Sequence, residues 1–164
     1  ALAGLPAPVR ARLRVTHQAR PEDLSGAHAT YEAAGIAAEC LPYMADLPQR
    51  MADSHLLVAR AGASTLAELT AMGRPAILVP FAAATDDHQA ANAVSFGAAG
   101  AGFVVAEPDF TPSRLAPLVE GFMAAPEALA AAAAAAQALG RPDAVERLAD
   151  LVEAEMGPGS GEAA

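Results

Sequence analysis

The residues best suited to chemistry lie between positions 56 and 92. Arg60 supplies a guanidinium, Glu68 a carboxylate, and Gln89 and Asn92 a pair of amides. A guanidinium pairs with phosphate oxygens, a carboxylate accepts hydrogen bonds from a ribose diol, and amides both donate and accept, which suits sugar hydroxyls. These residue types suit contacts with phosphate oxygens and with sugar hydroxyls.

A turn of small residues lies between Arg60 and Glu68. Residues 56–59 form an apolar run of strand length, and residues 60–65 follow as a turn into a helix. Small side chains allow a ligand to approach the backbone, and the first N–H groups of a helix have no intrahelical acceptor. The pattern predicts a phosphate site with four candidate contacts: Gly62, Ala63, Ser64 and Thr65.

A second apolar run, residues 76–79, leads through a loop to the helix that carries the amides. Gln89 and Asn92 are three positions apart, so they share a helix face. His88 is adjacent but points about a third of a turn away. We expect the loops after the two strands to lie on one edge of a sheet.

Structural roles compete with these binding roles. Thr65 and Glu68 match a capping box, in which each side chain accepts a hydrogen bond from the other's backbone N–H group. Taken alone, this local motif favours the cap over a diol contact. Arg60 fits an ordinary surface cation as well, and one of Asp86 and Asp87 is predicted to cap the helix that follows them.

Three segments in this order resemble the donor-binding half of the MurG family, the N-acetylglucosaminyltransferases of peptidoglycan synthesis. They read ARAGASTLAE at 59–68, GRPAILVP at 73–80 and DDHQAANA at 86–93. A weaker likeness extends from residues 15–18 to residues 141–144. The chain departs from the family at Ala82 and Ala83, where a proline and a bulkier residue stand.

The resemblance implies an α/β fold, with a Rossmann-like parallel sheet and helices on both faces. This would be the C-terminal half of a GT-B glycosyltransferase without its first strand. By the same resemblance, Met44 presents its backbone to uracil, Arg60 lies in the nucleotide site and Glu68 binds the ribose. Gln89 and Asn92 would hold the N-acetylglucosamine hydroxyls.

The implied reaction transfers N-acetylglucosamine from UDP-N-acetylglucosamine to the C4 hydroxyl of the muramoyl sugar in lipid I, giving lipid II with inversion. His88 would contact the nucleotide side of the donor or support the residues that do. No metal and no cofactor is implied, and helix N-termini would stabilise the departing diphosphate. The catalytic base, the lipid I site and the contact with the inner face of the cell membrane are expected in a preceding domain, so the chain is interpreted as a fragment inactive alone.

The composition indicates a soluble globular domain in the cytoplasm. Of 164 residues, 54% are hydrophobic and 18% charged, which allows a sizeable core. The net charge of −9 argues against nucleic acid or an anionic membrane surface as a direct partner. The lone Cys40 excludes an internal disulfide and is interpreted as a structural thiol. Residues 1–156 are predicted to form one domain and residues 157–164 a flexible tail.

Hydrophobic periodicity predicts the elements around the motifs. Strands are expected at residues 12–18, 38–41, 56–59, 76–79 and 103–105. Helices are expected at residues 47–52, 124–138 and 144–156, the last of them amphipathic. Asp46 is predicted to cap the first of these helices. His17 is placed near a carboxyl strand end, where a loop hydrogen bond is its expected role.

Two other functions fit parts of the pattern. A UDP-sugar 2-epimerase shares the fold and the substrate, but it needs acidic and basic residues around C2 of the sugar, which are not apparent. A non-catalytic nucleotide-sugar-binding module is the alternative from a different class. Lipid II, free N-acetylmannosamine or no product would distinguish the three.

Overall fold

Short parallel strands alternate with helices along the chain. The computed structural model describes residues 1–82 and 88–156. Its strands are β1 (Arg14–Gln18), β2 (Ala37–Leu41), β3 (Leu57–Ala59), β4 (Ala76–Leu78) and β5 (Gly102–Val104). Its α-helices are α1 (Ala7–Arg10), α2 (Leu24–Ala33), α3 (Leu47–Asp53), α4 (Ala63–Ala71), α5 (His88–Ala98), α6 (Pro112–Ala124), α7 (Pro126–Leu139) and α8 (Ala144–Met156). Within the described residues, short 3-10 turns cover Leu2–Gly4 and Glu107–Asp109.

The strands form two parallel sheets. β1 pairs with β2, and β4 lies between β3 and β5 in the second sheet. Ala59, Leu78 and Val104 are aligned at the carboxyl ends of that sheet. Since parallel strands run in one direction, the loops that follow them emerge at the same edge. The expectation that the loops after β3 and β4 share an edge is therefore confirmed.

The central strand β4 is buried on both faces. Ala76 and Leu78 belong to one hydrophobic cluster, together with Leu69 of α4 and Phe96 of α5. Ile77 belongs to a second cluster, formed with Leu5, Val105, Leu115 and Val119. Successive side chains of a strand point to opposite faces, so these two clusters cover the two faces of the sheet.

A cleft of about 2070 Å³ is lined by strands of both sheets, with residues 12–18 of the first and residues 56–59 of the second among its walls. Within the described residues, β1 pairs only with β2 and β3 only with β4, so each has one edge without a partner strand. Such an edge carries backbone N–H and C=O groups that no ladder satisfies. In the part of the chain that the structure describes, no strand hydrogen bond joins the two sheets.

Gly102 makes a close backbone approach to β4. It lies opposite Ala76 in the register of the two strands and has a φ of 157°. A Cβ atom at this position would lie 1.8 Å from the carbonyl oxygen of Ala76 and 2.8 Å from its carbonyl carbon. Both are backbone atoms of the central strand, so rotation of a side chain could not relieve the overlap. Only glycine fits here without movement of β5.

The predicted elements are present, with small shifts at their ends. The strands differ from their predicted bounds by no more than two residues at either end. α7 begins at Pro126 instead of residue 124, because proline fits the first turn of a helix, where its missing N–H is not needed. α8 covers its predicted range, and residues 157–164 lie outside the described part of the chain.

The cap predicted for α3 is wrong. Asp46 precedes the helix as expected but makes no side-chain hydrogen bond to a helix N–H group. Its Oδ1 instead accepts a hydrogen bond from Nε of Arg50 at 2.7 Å, a partner one turn away. The same guanidinium pairs with Glu39 of β2. The hydrogen bond from Arg50 lowers the pKa of Asp46. The Asp46 carboxylate therefore accepts from the Arg50 side chain and not from a backbone N–H group at the start of α3.

The apolar face of α8 is exposed in the described part of the chain. It consists of Val145, Leu148, Leu151 and Val152. Among the described residues no single helix is long and apolar enough to cross a bilayer. Pro112–Ala124 and Pro126–Glu155 reach that length and composition only as a pair, bent by 101° at the break.

Candidate functional site

Arg60 joins two of the loops that emerge at the carboxyl edge of the second sheet. It follows β3, and its Nη1 donates to the carbonyl oxygens of Val79 at 3.3 Å and Pro80 at 3.4 Å, both after β4. Its guanidinium carbon lies 5.3 Å from the centre of the Phe81 ring, within the range of a cation–π contact. The guanidinium is thus oriented by the loop after β4.

Glu107, in the 3-10 turn after β5, joins the third loop to the other two. Its Oε1 pairs with Nη2 of Arg60, and its Oε2 accepts the N–H of Ala82 at 3.0 Å. The hydrogen bond from Ala82, followed by that from Arg60, lowers the pKa of Glu107. The sequence pattern does not identify Glu107 as a site residue. The one signal that could have found it is its position, an acidic residue three positions after the end of β5.

The start of α4 has the geometry expected of an anion-binding turn. Gly62 is the N-cap, with φ of −64° and ψ of 149°, and its carbonyl accepts the N–H of Leu66 at 3.0 Å. The N–H groups of Ala63, Ser64 and Thr65 have no acceptor in the described part of the chain. Such groups carry the positive end of the helix dipole.

The capping box that competes with ligand binding as a role for Thr65 and Glu68 is not formed. α4 begins at Ala63, so Thr65 is its third residue and Glu68 its sixth, and no side chain caps it. Glycine at the N-cap adopts the required extended conformation and starts the helix earlier than the motif indicated. Glu68 is half-buried and lines the cleft together with Arg60 and Thr65. Within the described residues its carboxylate has no hydrogen bond or ion pair, so it is available to a ligand.

The two amides of α5 reach the same edge. Oε1 of Gln89 accepts the N–H of Phe81 at 3.0 Å, and Nδ2 of Asn92 donates to the carbonyl of Ala61 at 3.5 Å. The predicted shared face is therefore confirmed, with both side chains half-buried. In the described part of the chain, Gln89 keeps its amide donors and Asn92 its carbonyl acceptor for a ligand.

The other residues predicted near α5 are only partly described. His88 is the first residue of the helix and is exposed. Asp86 and Asp87, predicted as helix caps, lie outside the described residues, as does Ala83.

The first sheet also contributes to the cleft. Met44, in the loop after β2, lines it with a side chain that is 8% exposed. His17 of β1 also lines the cleft, and its Nδ1 lies 3.2 Å from the hydroxyl of Tyr31. Cys40 lies opposite His17 in the strand register. Burial, and secondly the neighbouring Cys40, raise the pKa of Tyr31.

Among the described residues, no group of three or more His, Cys, Asp or Glu is arranged to hold a metal ion. The metal-independent chemistry implied by the sequence motifs stays a prediction.

Residues 4–148 match the model of the glycosyltransferase family 28 C-terminal domain. This match covers most of the chain, including all residues that meet at the sheet edge.

Curated relatives share high identity with the chain. One from Methylobacterium sp. (strain 4-46) is 60% identical over 153 residues, which are 93% of this chain and 41% of the relative. One from Rhodospirillum centenum is 50% identical over 161 residues, 98% of this chain and 42% of the relative. Both are named UDP-N-acetylglucosamine--N-acetylmuramyl-(pentapeptide) pyrophosphoryl-undecaprenol N-acetylglucosamine transferase. The chain thus spans about two fifths of their length.

Solved structures show the same architecture. The chain is similar to MurG of Acinetobacter baumannii, with a TM-score of 0.79 and 28% identity over 92% of this chain and 47% of that one. It is also similar in fold to WaaG, a glycosyltransferase involved in lipopolysaccharide biosynthesis, with a TM-score of 0.65 and 23% identity over 92% of this chain and 41% of that one. The predicted α/β fold, with parallel strands and helices of the GT-B type, is confirmed.

Proposed function

The chain belongs to the glycosyltransferase family 28 C-terminal domain family, and from this premise we propose that it binds the nucleotide-sugar donor of a hexosyl transfer. The proposed donor is UDP-N-acetylglucosamine and the proposed product of the complete reaction is lipid II. The names of the relatives from Methylobacterium and Rhodospirillum centenum support this choice. The acceptor lipid I, the catalytic base and peripheral contact with the inner face of the membrane are assigned to the part of such transferases that this chain does not cover.

The observation that carries this proposal is the meeting of unlike groups at one sheet edge. The guanidinium of Arg60, the helix N–H groups after Gly62 that have no acceptor among the described residues, and two amides of α5 lie at this edge. Cationic and N–H donors suit a diphosphate, and amides suit a hexose. A ligand with both parts satisfies all of these groups at once, and a nucleotide sugar is such a ligand.

The proposed contacts follow from the chemistry of each group, except those of Met44 and His88, which follow from the resemblance to the MurG family. Arg60 would face the nucleotide or its diphosphate, and the N–H groups of Ala63, Ser64 and Thr65 would bind phosphate oxygens. Glu68 would accept hydrogen bonds from the ribose diol. The remaining proposed contacts are the backbone of Met44 to uracil, His88 on the nucleotide side, and Gln89 and Asn92 to the sugar hydroxyls.

During transfer, negative charge grows on the departing UDP. Fixed N–H donors and a guanidinium stabilise such charge because they are oriented before the reaction begins. The acceptor hydroxyl must also be held in line with the anomeric carbon, which can supply roughly 7 to 11 kcal/mol of the barrier. We propose that this positioning comes from outside residues 1–164, and that the chain by itself binds the donor without turnover.

The test combines binding and turnover. UDP-N-acetylglucosamine is titrated into residues 1–164 by calorimetry, and lipid II formation is assayed with and without the separately expressed amino-terminal part of the Methylobacterium relative. We expect donor binding by the chain alone and product only with the added part. Turnover by the chain alone would put the base among its own residues, and release of free N-acetylmannosamine would indicate a 2-epimerase.

Glu68→Gln is expected to weaken UDP binding by about 1 kcal/mol, because a neutral amide accepts hydrogen bonds from a diol less strongly than a carboxylate. Thermal stability should stay unchanged, since Glu68 caps no helix. Calorimetric titration of UDP and a melting curve measure the two effects. Glu120→Gln, the same change on an exposed position of α6, is the control. A lower melting temperature with intact UDP affinity would contradict the diol contact.

A further inference from the structure

Glu107 and Gln89 hold two consecutive peptide groups of one loop. The carboxylate of Glu107 accepts the N–H of Ala82, and the amide of Gln89 accepts the N–H of Phe81, both at 3.0 Å. The second oxygen of Glu107 pairs with Arg60. The Glu107 carboxylate therefore connects Arg60, which follows β3, with the loop backbone at Phe81 and Ala82, to which Gln89 is also bonded.

We propose that Glu107 is a positioning residue for donor binding. It fixes the direction of the Arg60 guanidinium, which is proposed to face the nucleotide or its diphosphate. It also fixes the backbone of Phe81 and Ala82, to which Gln89 on the proposed sugar side is bonded. This role rests on the proposed function, in which Arg60 and Gln89 bind the donor.

Preorganisation is the physical basis of this role. An arginine side chain loses much rotamer freedom when it is fixed, and a ligand that must fix it binds more weakly. Here Arg60 is already held by two carbonyls, an aromatic ring and Glu107. The carboxylate is the only anion among these contacts in the described residues, so it decides how firmly the guanidinium is held.

Stability alone does not account for this arrangement. The side chains of Arg60 and Glu107 are 48% and 33% exposed, and ion pairs between exposed groups add little to folding. Removing the charge of Glu107 should therefore change ligand affinity more than thermal stability. This difference separates a positioning residue from a merely structural one.

The experiment is a double-mutant cycle on residues 1–164 with UDP as the probe. Glu107→Gln, Arg60→Ala and the double variant are titrated by calorimetry, and melting curves are recorded for each. Asp109→Asn removes an exposed carboxylate in the same 3-10 turn and is the matched control. Glu107→Asp, which keeps the charge on a shorter side chain, tests for partial rescue.

We expect Glu107→Gln to weaken UDP binding about tenfold when Arg60 is present. In the Arg60→Ala variant the same change should weaken binding much less, because the effects of substitutions at coupled residues do not add. Glu107→Asp should fall between the unchanged chain and Glu107→Gln. Additive losses, unchanged affinity, or a melting temperature far below that of Asp109→Asn would overturn the positioning role alone. Failure of the unchanged chain to bind UDP would overturn the proposed function and this inference with it.

Discussion

Replacement of Gly102 by alanine is expected to destabilise the chain by about 3 kcal/mol or more, because the new Cβ atom overlaps the backbone of the central strand. The overlap with the carbonyl of Ala76 is relieved only if β5 moves away from β4. Such a movement also breaks the pairing of Leu78 with Val104. Against a typical total of about 5–15 kcal/mol, this is a large loss. Urea unfolding followed by circular dichroism measures it.

The matched control is the same substitution at Gly26. This glycine lies within α2, and a Cβ atom there meets no other atom within 4 Å. Alanine favours a helix over glycine by about 0.5–1 kcal/mol, so Gly26→Ala should stabilise the chain slightly. Equal midpoints for Gly102→Ala and the unchanged chain would contradict the close approach of β5 to β4.

Gln89→Ala is expected to weaken binding of UDP-N-acetylglucosamine by about 1–3 kcal/mol, because sugar hydroxyls would lose a buried hydrogen-bond partner. Binding of UDP, which has no hexose, should change little. Calorimetric titration of both ligands gives the difference. Equal losses for the two ligands would remove Gln89 from the sugar site.

Gln89→Glu separates sugar binding from anchoring of the loop. Glutamate keeps an oxygen for the N–H of Phe81, which Gln89 bonds at 3.0 Å, but it loses the amide donors. If those donors bind the sugar, Gln89→Glu should lose affinity for UDP-N-acetylglucosamine as Gln89→Ala does. Retained affinity would mean that the side chain only anchors the loop. Gln137→Ala, at an exposed position of α7, is the control for the loss of an amide.

The types and order of the main elements were predictable because each depends on local pattern. The apolar run that forms β4 is buried on both faces, as expected of a central parallel strand. The division into two sheets was not predictable, since pairing depends on which strands meet and not on their composition. The role of Gly102 was missed for the same reason: a close approach follows from register.

The candidate site was predictable where its residues lie in short motifs. The likeness to the MurG family, drawn from three segments, is confirmed by 60% identity to a curated relative. Arg60, Gln89 and Asn92 do meet at one edge, though their binding roles stay predictions. Glu107 was missed because it lies 47 positions from its partner Arg60, and only the parallel order of the strands brings them together.

The absence of strand hydrogen bonds between the two sheets in the described residues bears on folding cooperativity. β1 and β2 pair with each other and α2 connects them along the chain, so this unit is built from contacts close in sequence. The second sheet has its own two-sided core. Units that share few contacts open separately, each with its own opening free energy. Amide exchange should accordingly report one opening free energy for β1 and β2 and another for β4.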